Sequence, residues 1–496
     1  MKRKNYIFSL ASALCLGAAA LAMTACSSED NIVSNNQPQN AEVKTYTINI
    51  PATFGDDAQT RAVTFGNTGA TPTAITSFAT TDKIYVYRKS PTTAWLSYNG
   101  GNYDYLSPTN ISGDGRTCTL SGTINGQFAE GDVLELYYNM NHLYSIADGC
   151  GYDYTKQDGT QAGVADFAIA TVKVKSIDAG NVTFCKVTDD TDEKAHFENL
   201  SSMFRFKFTD GTSPISVKNL HVGSTNPALL GEYRPVTNDP HPLSSGAEIS
   251  VNLATATSDY IYVGIGIDES GNNGNAMDFQ VEDADGKVYT GSKAAPATNG
   301  FKKGKYYYST SATTLAYQHT IQYPTITWTT PNTAVEPDFG VYQIAVDNFD
   351  ITLSNTSSYV CFSMGGTYNP NGTVRLNGLT ATYDDDYYIF SHANLILDIT
   401  GNNTITCKNQ GGCIYAWARE LKLSGNGTLT VTSNSPDYCG LEGTNYEKSN
   451  NSHTTTTELD VSAALAAPGY KVTRSARTDN GDGTYTWTYT VAPTAS

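Results

Sequence analysis

An internal repeat decides the fold of the last third of the chain: residues 395–406 read LILDITGNNTIT, and residues 421–430 read LKLSGNGTLT. The turn glycines of the two copies, Gly401 and Gly425, recur at a period of about 24 residues, which lies in the range of repeat architectures. Short strands that end in Gly/Asn turns and recur at this period are typical of stacked rungs. The repeat therefore predicts a short right-handed parallel β-helix over residues 316–496.

Three further features belong to this region. Residues 349–355, FDITLSN, form a weaker earlier copy of the repeat. Cys413 and Cys439 recur at nearly the same period, which fits an inward stack of small buried side chains better than a redox pair. Residues 479–487, DNGDGTYTW, predict a hairpin that caps the stack. A third antiparallel sandwich is the alternative that these patterns leave open.

Upstream of residue 316 the chain alternates short strands with turns rich in Gly, Asn and Asp. Residues 260–267 form a nearly continuous apolar strand, and residues 279–289 form a hairpin pattern that turns at Asp285-Gly286. Strands at such spacing are typical of Greek-key sandwiches. The sequence therefore predicts an all-β chain with two β-sandwich domains, at residues 62–180 and 181–315, before the β-helix.

A polar loop, DDAQTRAVTF at residues 56–65, separates the first sandwich from a single strand. Residues 46–54 alternate apolar and polar side chains, which predicts a strand with one buried face. Arg61 follows it in a loop that a trypsin-like protease can reach. Cleavage between Arg61 and Ala62 would free this strand and leave an apolar groove with unpaired strand edges. An ordinary loop arginine is the alternative.

The N-terminus has the pattern of a lipoprotein signal peptide over residues 1–25. A charged start, MKRK, precedes a short apolar run at residues 7–22. The segment LAMTAC resembles a bacterial lipobox with lipid (palmitate) on Cys26, although Met23 departs from the strict Leu-rich pattern. The acidic SSED that follows resembles the export signal of surface-exposed lipoproteins in Bacteroidales. An ordinary secretory signal with a chance cysteine is the alternative.

Seven cysteines follow Cys26, so they cannot all pair within one chain and at least one is free. There is no CxxC pair, and their spacing does not resemble a zinc site. We expect most of them to be buried apolar residues, and one disulfide remains an alternative. They are Cys118, Cys150, Cys185, Cys361, Cys407, Cys413 and Cys439.

Charge and motifs exclude several classes of function. The net charge is −17, and it becomes −20 when the three positive charges of the signal peptide are removed. This argues against nucleic acid and anionic membrane surfaces as partners. The sequence contains no GxSxG, HExxH or phosphate-loop motif, and none of the seven histidines pairs at metal spacing. We therefore expect no enzyme activity and no organic cofactor.

The order of lipobox, first strand, arginine loop and two sandwiches resembles the Bacteroidales-type fimbrillins over about residues 1–315. The segments GKYY at residues 304–307 and FENL at residues 197–200 are similar to theirs. The resemblance implies transthyretin-like sandwiches, export as an outer-membrane lipoprotein, and polymerisation with other fimbrial subunits by donor-strand exchange. It also implies lipidation at Cys26 and removal of residues 26–61 as a propeptide by cleavage after Arg61.

Residues 316–496 depart from a plain shaft subunit and resemble carbohydrate-binding β-helix proteins related to pectate-lyase folds. Tyr415, Trp417 and Tyr438 are candidate residues for stacking on sugar rings, with ordinary packing as the alternative. The carboxylates of Asp384, Asp385 and Asp386 form a candidate calcium site, with a solvated turn as the alternative.

Three functions remain as hypotheses. The first is a fimbrial tip adhesin, located in the outer membrane and then in the fimbrium, whose β-helix binds a surface glycan or protein. The second is a glycan-binding surface lipoprotein that never polymerises, and the third is a β-helix polysaccharide lyase. We favour the first. Four to six rungs with few charged residues are short for a catalytic cleft, and a C-terminal strand used as a cap cannot be donated to a neighbouring subunit.

Overall fold

The computed structural model describes the chain from Lys44 onward with several gaps. The ranges are 44–54, 62–66, 73–75, 77–90, 94–95, 98–99, 102–126, 128–138, 142–143, 150–223, 229–234, 239–242, 248–268, 276–297, 300–309, 311–330, 334–365, 371–384, 387–409, 412–435, 439–444, 459–460 and 462–495. Within these ranges, residues up to 284 together with 289–317 form one compact unit. Residues 285–288 and 318–496 form the other.

The described residues up to position 320 contain 28 strands. In chain order they are β1 (Lys44–Phe54), β2 (Ala62–Gly66), β3 (Thr73–Ile75), β4 (Ile84–Ser90), β5 (Ala94–Trp95), β6 (Tyr98–Asn99), β7 (Asn102–Tyr103), β8 (Tyr105–Thr109), β9 (Thr117–Gly126), β10 (Val133–Tyr138), β11 (His142–Leu143), β12 (Cys150–Asp153), β13 (Lys156–Gln157), β14 (Ala168–Asp178), β15 (Asn181–Lys186), β16 (Ala195–Asn199), β17 (Ser201–Phe206), β18 (Phe208–Thr209), β19 (Val217–Gly223), β20 (Leu229–Arg234), β21 (Asp239–Pro242), β22 (Ile249–Thr257), β23 (Ile261–Ile267), β24 (Met277–Asp283), β25 (Lys287–Lys293), β26 (Tyr306–Tyr308), β27 (Thr313–Thr314) and β28 (Ala316–Thr320).

The rest of the described chain contains 14 strands and one short helix. They are β29 (Thr325–Thr330), β30 (Val341–Ile344), β31 (Asp350–Ser358), β32 (Cys361–Met364), β33 (Asn371–Thr382), β34 (Ile389–Ser391), β35 (Asn394–Cys407), β36 (Gly412–Ala416), β37 (Leu421–Ser433), β38 (Gly440–Glu442), β39 (Leu459–Asp460), α1 (Ser462–Leu465), β40 (Tyr470–Arg474), β41 (Thr478–Asp479) and β42 (Tyr485–Pro493). The chain is therefore all-β, as its composition predicts.

The N-terminal sheet closes on itself. Its strands follow the order β10-β14-β15-β1-β9-β8-β4, and β10 also pairs with β4, so seven strands form a ring. One buried apolar cluster fills the ring. The sequence predicts a two-sheet sandwich here, whereas the pairing between β10 and β4 joins the two edges that a sandwich would leave apart.

Strand β1 is paired on both of its sides within this ring. It pairs antiparallel with β9 over ten positions, from Lys44 to Thr53, and parallel with β15 and β16 on its other side. Its alternate side chains are buried, and they belong to the central cluster. These side chains are those of Tyr46, Ile48, Ile50, Ala52 and Phe54. The alternation read from the sequence is therefore confirmed.

Two further sheets enclose the second buried cluster of this unit. One has the order β11-β12-β20-β23-β17-β26, with β21 beside β20, and the other has the order β13-β22-β19-β24-β25-β28. Strands β15 and β16, at residues 181–199, pair instead in the N-terminal ring. The boundary that the sequence predicts between residues 180 and 181 therefore divides these paired strands, because residues 197–199 of the FENL segment lie in β16 and pair in the first sheet.

The C-terminal unit is solenoid-like. A long sheet contains the parallel strands β31, β33, β35 and β37, and a short sheet contains the parallel strands β30, β32, β34, β36 and β38. The chain alternates between the two sheets from β30 to β38. Their inward side chains form one apolar cluster that includes Leu397, Leu423, Ile389 and Ile414. The parallel stacking that the repeat predicts is present, and the alternative of a third antiparallel sandwich is wrong.

The register of the solenoid differs from the predicted period in its last turn. Thr380 pairs with Thr404, which matches that period, but Leu395 pairs with Leu421, an offset longer by two positions. Gly425 therefore stands beside Ile399 rather than beside Gly401. The Gly/Asn segments also lie inside long strands instead of ending them.

A buried asparagine explains how a strand continues through such a segment. The side chain of Asn403 accepts a hydrogen bond from the Leu379 backbone N–H (2.9 Å) and donates to the carbonyl oxygens of Thr400 (3.0 Å) and Thr428 (3.2 Å). It thus links three successive strands of the long sheet and satisfies backbone groups where the ladder bends.

Antiparallel strands flank the four parallel strands of the long sheet. Strand β29 pairs with β31 on one side, and β42 pairs with β37 on the other, after which the sheet continues with β40 and β39. Trp487 and Tyr489 of β42 are buried against the solenoid core. The C-terminal segment therefore caps the stack, as the sequence predicts, and leaves neither edge of the four parallel strands open.

Candidate functional site

The candidate binding surface is the outward face of the short parallel sheet. Successive side chains of a strand point to opposite faces. Ile389 of β34 and Ile414 of β36 are fully buried in the core, and the residues that follow them, Phe390 and Tyr415, are half-buried on the other face. Phe390 and Tyr415 are also direct register partners, so their side chains lie side by side on neighbouring strands.

Five rings on this face form one continuous surface, here called the aromatic strip. Its members are Tyr387, Phe390, His392, Tyr415 and Trp417. The centroid distances are 5.0 Å for Tyr387–Tyr415, 5.6 Å for Phe390–Tyr415, 5.0 Å for Phe390–His392 and 5.0 Å for His392–Trp417. Trp417 is 43% exposed. Partly exposed rings in mutual contact provide a large, rigid apolar surface at low entropic cost.

A carboxyl group lies at one end of the strip. Glu442 of β38 is the register partner of Tyr415, and its Oε1 accepts a long hydrogen bond of 3.5 Å from the Tyr387 hydroxyl. Burial of the Glu442 side chain raises its pKa to about 7, and the Tyr387 hydrogen bond opposes this shift only in part. At neutral pH this group therefore carries charge on only part of the molecules.

A glycine makes room for this carboxyl group. A Cβ atom at Gly412 would lie 2.6 Å from Glu442 Oε1 and 3.2 Å from Cε1 of Tyr387. Contacts that short force neighbouring atoms to move, so any side chain at position 412 would displace the carboxyl group or the ring. The glycine therefore lets the carboxyl group and the aromatic edge pack directly against the backbone at this position.

The other end of the strip carries a basic group. Arg419 Nε donates a hydrogen bond of 3.0 Å to the backbone carbonyl oxygen of His392. Burial lowers the pKa of His392, and the positive charge of Arg419 lowers it further. Both effects disfavour the charged form of His392, whose ring packs as the fifth aromatic ring of the strip.

The structure brings together two of the three predicted sugar-stacking residues. Tyr415 and Trp417 are both members of the strip, and Tyr438 lies outside the described residues. Sequence reasoning missed Phe390 and Glu442, because only the strand register shows that they flank Tyr415. The available signal was the match between the segments YYIFSH and CIYAW, which alternate in phase.

The candidate calcium site has no further support. Asp384 is half-buried, and its Oδ1 accepts a hydrogen bond from the Lys408 backbone N–H (3.2 Å). Asp385 and Asp386 lie outside the described residues. Within the described ranges, no three His, Cys, Asp or Glu side chains are grouped so that they could hold a metal ion.

Six cysteines whose side chains the structure describes are buried thiols rather than members of disulfides: Cys118, Cys185, Cys361, Cys407, Cys413 and Cys439. Burial raises the pKa of Cys407, and the neighbouring Cys413 thiol raises it further. Cys439 accepts a hydrogen bond of 2.9 Å from Arg474 Nη1 inside the core. A thiol with a raised pKa is a poor nucleophile, so Cys407 packs rather than reacts.

The outward face of the long sheet has a different chemistry. Hydroxyl side chains form two columns that cross the strands in register: Thr356, Thr380, Thr404, Thr430 and Thr488, and Ser358, Thr382, Thr406, Thr432 and Thr486. Between β37 and β42 the hydroxyls lie within hydrogen-bond distance, at 3.2 Å for Thr430–Thr488 and 2.8 Å for Thr432–Thr486. The two columns carry no charge, so they lack the ionic and aromatic groups of the strip.

The side chains of the predicted processing residues are not described in the structure. Cys26 and Arg61 lie outside the described residues, and Ala62 is described only as the first backbone position of β2. No helix in the described part of the chain is long and apolar enough to span a membrane.

Comparison with known proteins gives distant structural neighbours only. No family model matches the sequence, and no curated protein matches it. A "putative cell adhesion protein" from Bacteroides uniformis aligns with 57% of this chain and 98% of its own at 16% identity and a TM-score of 0.30. One from Bacteroides ovatus aligns with 56% of this chain and 97% of its own at 15% identity and a TM-score of 0.30.

A third neighbour is the tip fimbrial protein Mfa3 from Porphyromonas gingivalis, with a C-terminal truncation. It aligns over 58% of this chain and 97% of its own at 12% identity and a TM-score of 0.26. All three TM-scores are too low to transfer the role of any residue to this chain.

Proposed function

We propose that this protein is a non-catalytic cell-surface adhesion protein of the fimbrial type, a tip subunit that accepts a strand from a neighbouring subunit. The observation that carries the proposal is the position of β1. It is paired on both sides within a closed ring of strands. The chain nevertheless connects it to the next strand, β2 at Ala62–Gly66, through the segment that contains Arg61.

Removal of β1 would leave a gap of one strand. Strand β9 would lose its ten paired positions, and β15 and β16 would each lose a partner. The five side chains of β1 that fill the core would leave a groove of the same pattern. A strand with alternating apolar residues from another subunit could occupy it by backbone pairing, which is the basis of donor-strand exchange.

The structure of the C-terminal unit favours a place for this subunit at the end of a fibre. In donor-strand exchange a shaft subunit must also donate a strand from its C-terminal region. Here β42 is paired along β37, and it buries Trp487 and Tyr489 in the solenoid core. Withdrawal of this strand would open the core, so β42 is not available as a donor strand, and in this proposal the chain accepts a strand without donating one. The solenoid, a short parallel β-helix in this proposal, then faces outward.

In this proposal the aromatic strip is the surface that binds a glycan or protein ligand. It is rigid and partly exposed, and it belongs to the solenoid, whereas the strand-exchange groove belongs to the other unit. Before assembly the protein reaches the outer membrane with lipid on Cys26, and cleavage after Arg61 releases the surface form.

N-terminal sequencing of the surface form tests the proposal. We expect mature protein to begin at Ala62, and we expect Arg61→Ala to accumulate as uncut, lipidated precursor that does not enter fimbriae. Arg61→Lys is the matched control, because it keeps the charge and separates an arginine-specific protease from a general one. Surface protein that still begins at Cys26 after fimbriae assemble would contradict donor-strand exchange.

Antibody labelling of intact fimbriae tests the position in the fibre. An antibody raised against residues 316–496 is expected to mark the distal ends. Label spaced along the shaft would mean that the C-terminal unit does not prevent polymerisation, and the tip assignment would then be wrong while the adhesive role could stand.

A further inference from the structure

We infer that the Glu442 end of the aromatic strip is a binding site for an alkylammonium group, and that its ligand is a lysine side chain presented by a protein on the target surface. This inference deepens the proposed function and rests on it, since it specifies what the strip recognises.

The composition of the site suits a cation. Glu442 supplies a carboxyl group, and the Tyr387 and Tyr415 rings lie directly beside it. An ammonium group is attracted both to a carboxylate and to the face of an aromatic ring within about 6 Å of its centroid. Rings combined with a carboxylate are complementary to a cation and unfavourable for an anion.

Charge also favours a cation. Within the described part of the chain, the groups beside Glu442 are the Tyr387 hydroxyl, the Tyr415 ring and the backbone at Gly412. Among the described residues, only burial and the Tyr387 hydrogen bond act on its pKa, and no positive charge contributes. The carboxylate therefore lacks a cation within the described chain. A ligand ammonium would supply the missing charge.

The shape of the site also suits a lysine. The carboxyl group of Glu442 and the Tyr387 ring pack against the bare backbone of Gly412, where a Cβ atom would not fit. A lysine suits such a site because its slender apolar stem can lie along rings while its head reaches the carboxylate. The net charge of −17 on the whole chain also favours the approach of basic protein segments over that of acidic glycans.

Saturation-transfer NMR on the full-length protein tests this inference with Nα-acetyl-lysine methylamide as the probe. Its Nε-acetylated analogue is the matched control ligand, because it keeps the stem and removes the charge. We expect the charged probe to bind at pH 8, and we expect the acetylated analogue to bind about tenfold more weakly. Affinity for the charged probe is expected to fall between pH 8 and pH 6, as Glu442 takes up a proton.

Two variants separate the site from general attraction between a cation and an acidic protein. Glu442→Gln is expected to weaken binding about tenfold, the size of a lost ion pair at an aromatic site. Glu420→Gln makes the same change of charge at an exposed position of the solenoid and is expected to bind like the unchanged protein. Circular dichroism on each variant confirms that it is folded.

Equal binding of the two probes, or equal binding by Glu442→Gln, would overturn the ammonium site. Binding of a neutral oligosaccharide that depends on Tyr415 but not on Glu442 would do the same and would assign the strip to a glycan. Neither result bears on the proposal that the mature protein begins at Ala62. The failure of this inference is therefore distinguishable from the failure of the proposed function.

Discussion

The N-terminal ring and the long sheet of the solenoid both contain long, continuously paired strands. They differ in where the strands that pair with their edges come from. The ring contains β1, which the chain supplies from upstream of the segment that carries Arg61. In the solenoid sheet the parallel strands are flanked by β29 on one side and by β42 on the other, and both strands belong to the same unit. The comparison shows that one region depends on a strand that cleavage could detach, whereas the other is complete in itself.

Deletion of β1 is the strongest test of this difference. We expect a chain without residues 44–54 to lose the folding of the ring, because four large side chains of β1 leave the core at roughly 1.5–3 kcal/mol each. Calorimetry should then show loss of the transition of the first unit, while the transition of the solenoid remains.

A peptide with the sequence KTYTINIPATF supplies the control for that deletion. Added in excess, it is expected to restore the lost transition, since it can pair with β9 and β15 as β1 does. If the deleted chain still unfolded cooperatively in both units, β1 would not be an essential part of the ring.

A substitution in β42, the strand that caps the solenoid, should destabilise the solenoid rather than the ring. Trp487→Ala removes a side chain that is 2% exposed, and we expect a loss of about 3–5 kcal/mol in the stability of the solenoid. Tyr485→Ala, a half-buried position on the same strand, is the matched control and should cost less. Denaturant titration followed by far-UV circular dichroism measures both. A change in the ring transition instead would mean that the two units do not unfold independently.

The smallest expected effect concerns Glu442 and depends on pH. Its pKa in the folded protein, about 7, lies above its ordinary value of 4.5, so the folded state binds the proton more tightly than the unfolded state. Stability from this group is therefore full below pH 4.5, falls as the pH rises to 7, and stays low above it. Glu442→Gln should stabilise the solenoid by about 1–2 kcal/mol at pH 8, after allowance for partial exposure.

At pH 4 the same substitution should leave the stability unchanged, and denaturant titrations at the two pH values measure the difference. A variant that is more stable but binds the lysine probe less well would indicate that the carboxyl group is retained for recognition. Equal stability of the two proteins at pH 8 would show that the pKa of Glu442 is not raised.

The sequence predicts the strands of both regions better than their closure. The alternation at residues 46–54 identifies β1, because every second side chain enters the core. The pairing of β10 with β4 that closes the ring has no local signal, since it depends on the curvature of the whole sheet. For the same reason the sequence places a domain boundary at residue 180, although β15 and β16 belong to the ring.

The solenoid shows a similar limit. Matching the sequence motifs aligns Gly401 with Gly425, but the backbone pairs Gly401 with Gly427. Gly425 has a positive φ of 98°, and a Cβ there would lie 2.3 Å from the carbonyl oxygen of Ile399, so it is a bend inside the strand rather than its end. Trp417 and Tyr415 are visible as aromatic residues, but Glu442 joins them only through the register of three strands.

The pairing of β35 with β37 has a consequence for the length of the protein. Every residue from Leu395 to Cys407 pairs in turn with one from Leu421 to Ser433, and the offset between partners stays constant. A duplicated copy of residues 395–420 could therefore be inserted next to the original, and the strands on either side would meet the same neighbours as before. Each such duplication would lengthen the aromatic strip by one strand, about 4.8 Å. A lineage could thus adjust the reach of this surface in fixed steps while both ends of the stack stay unchanged.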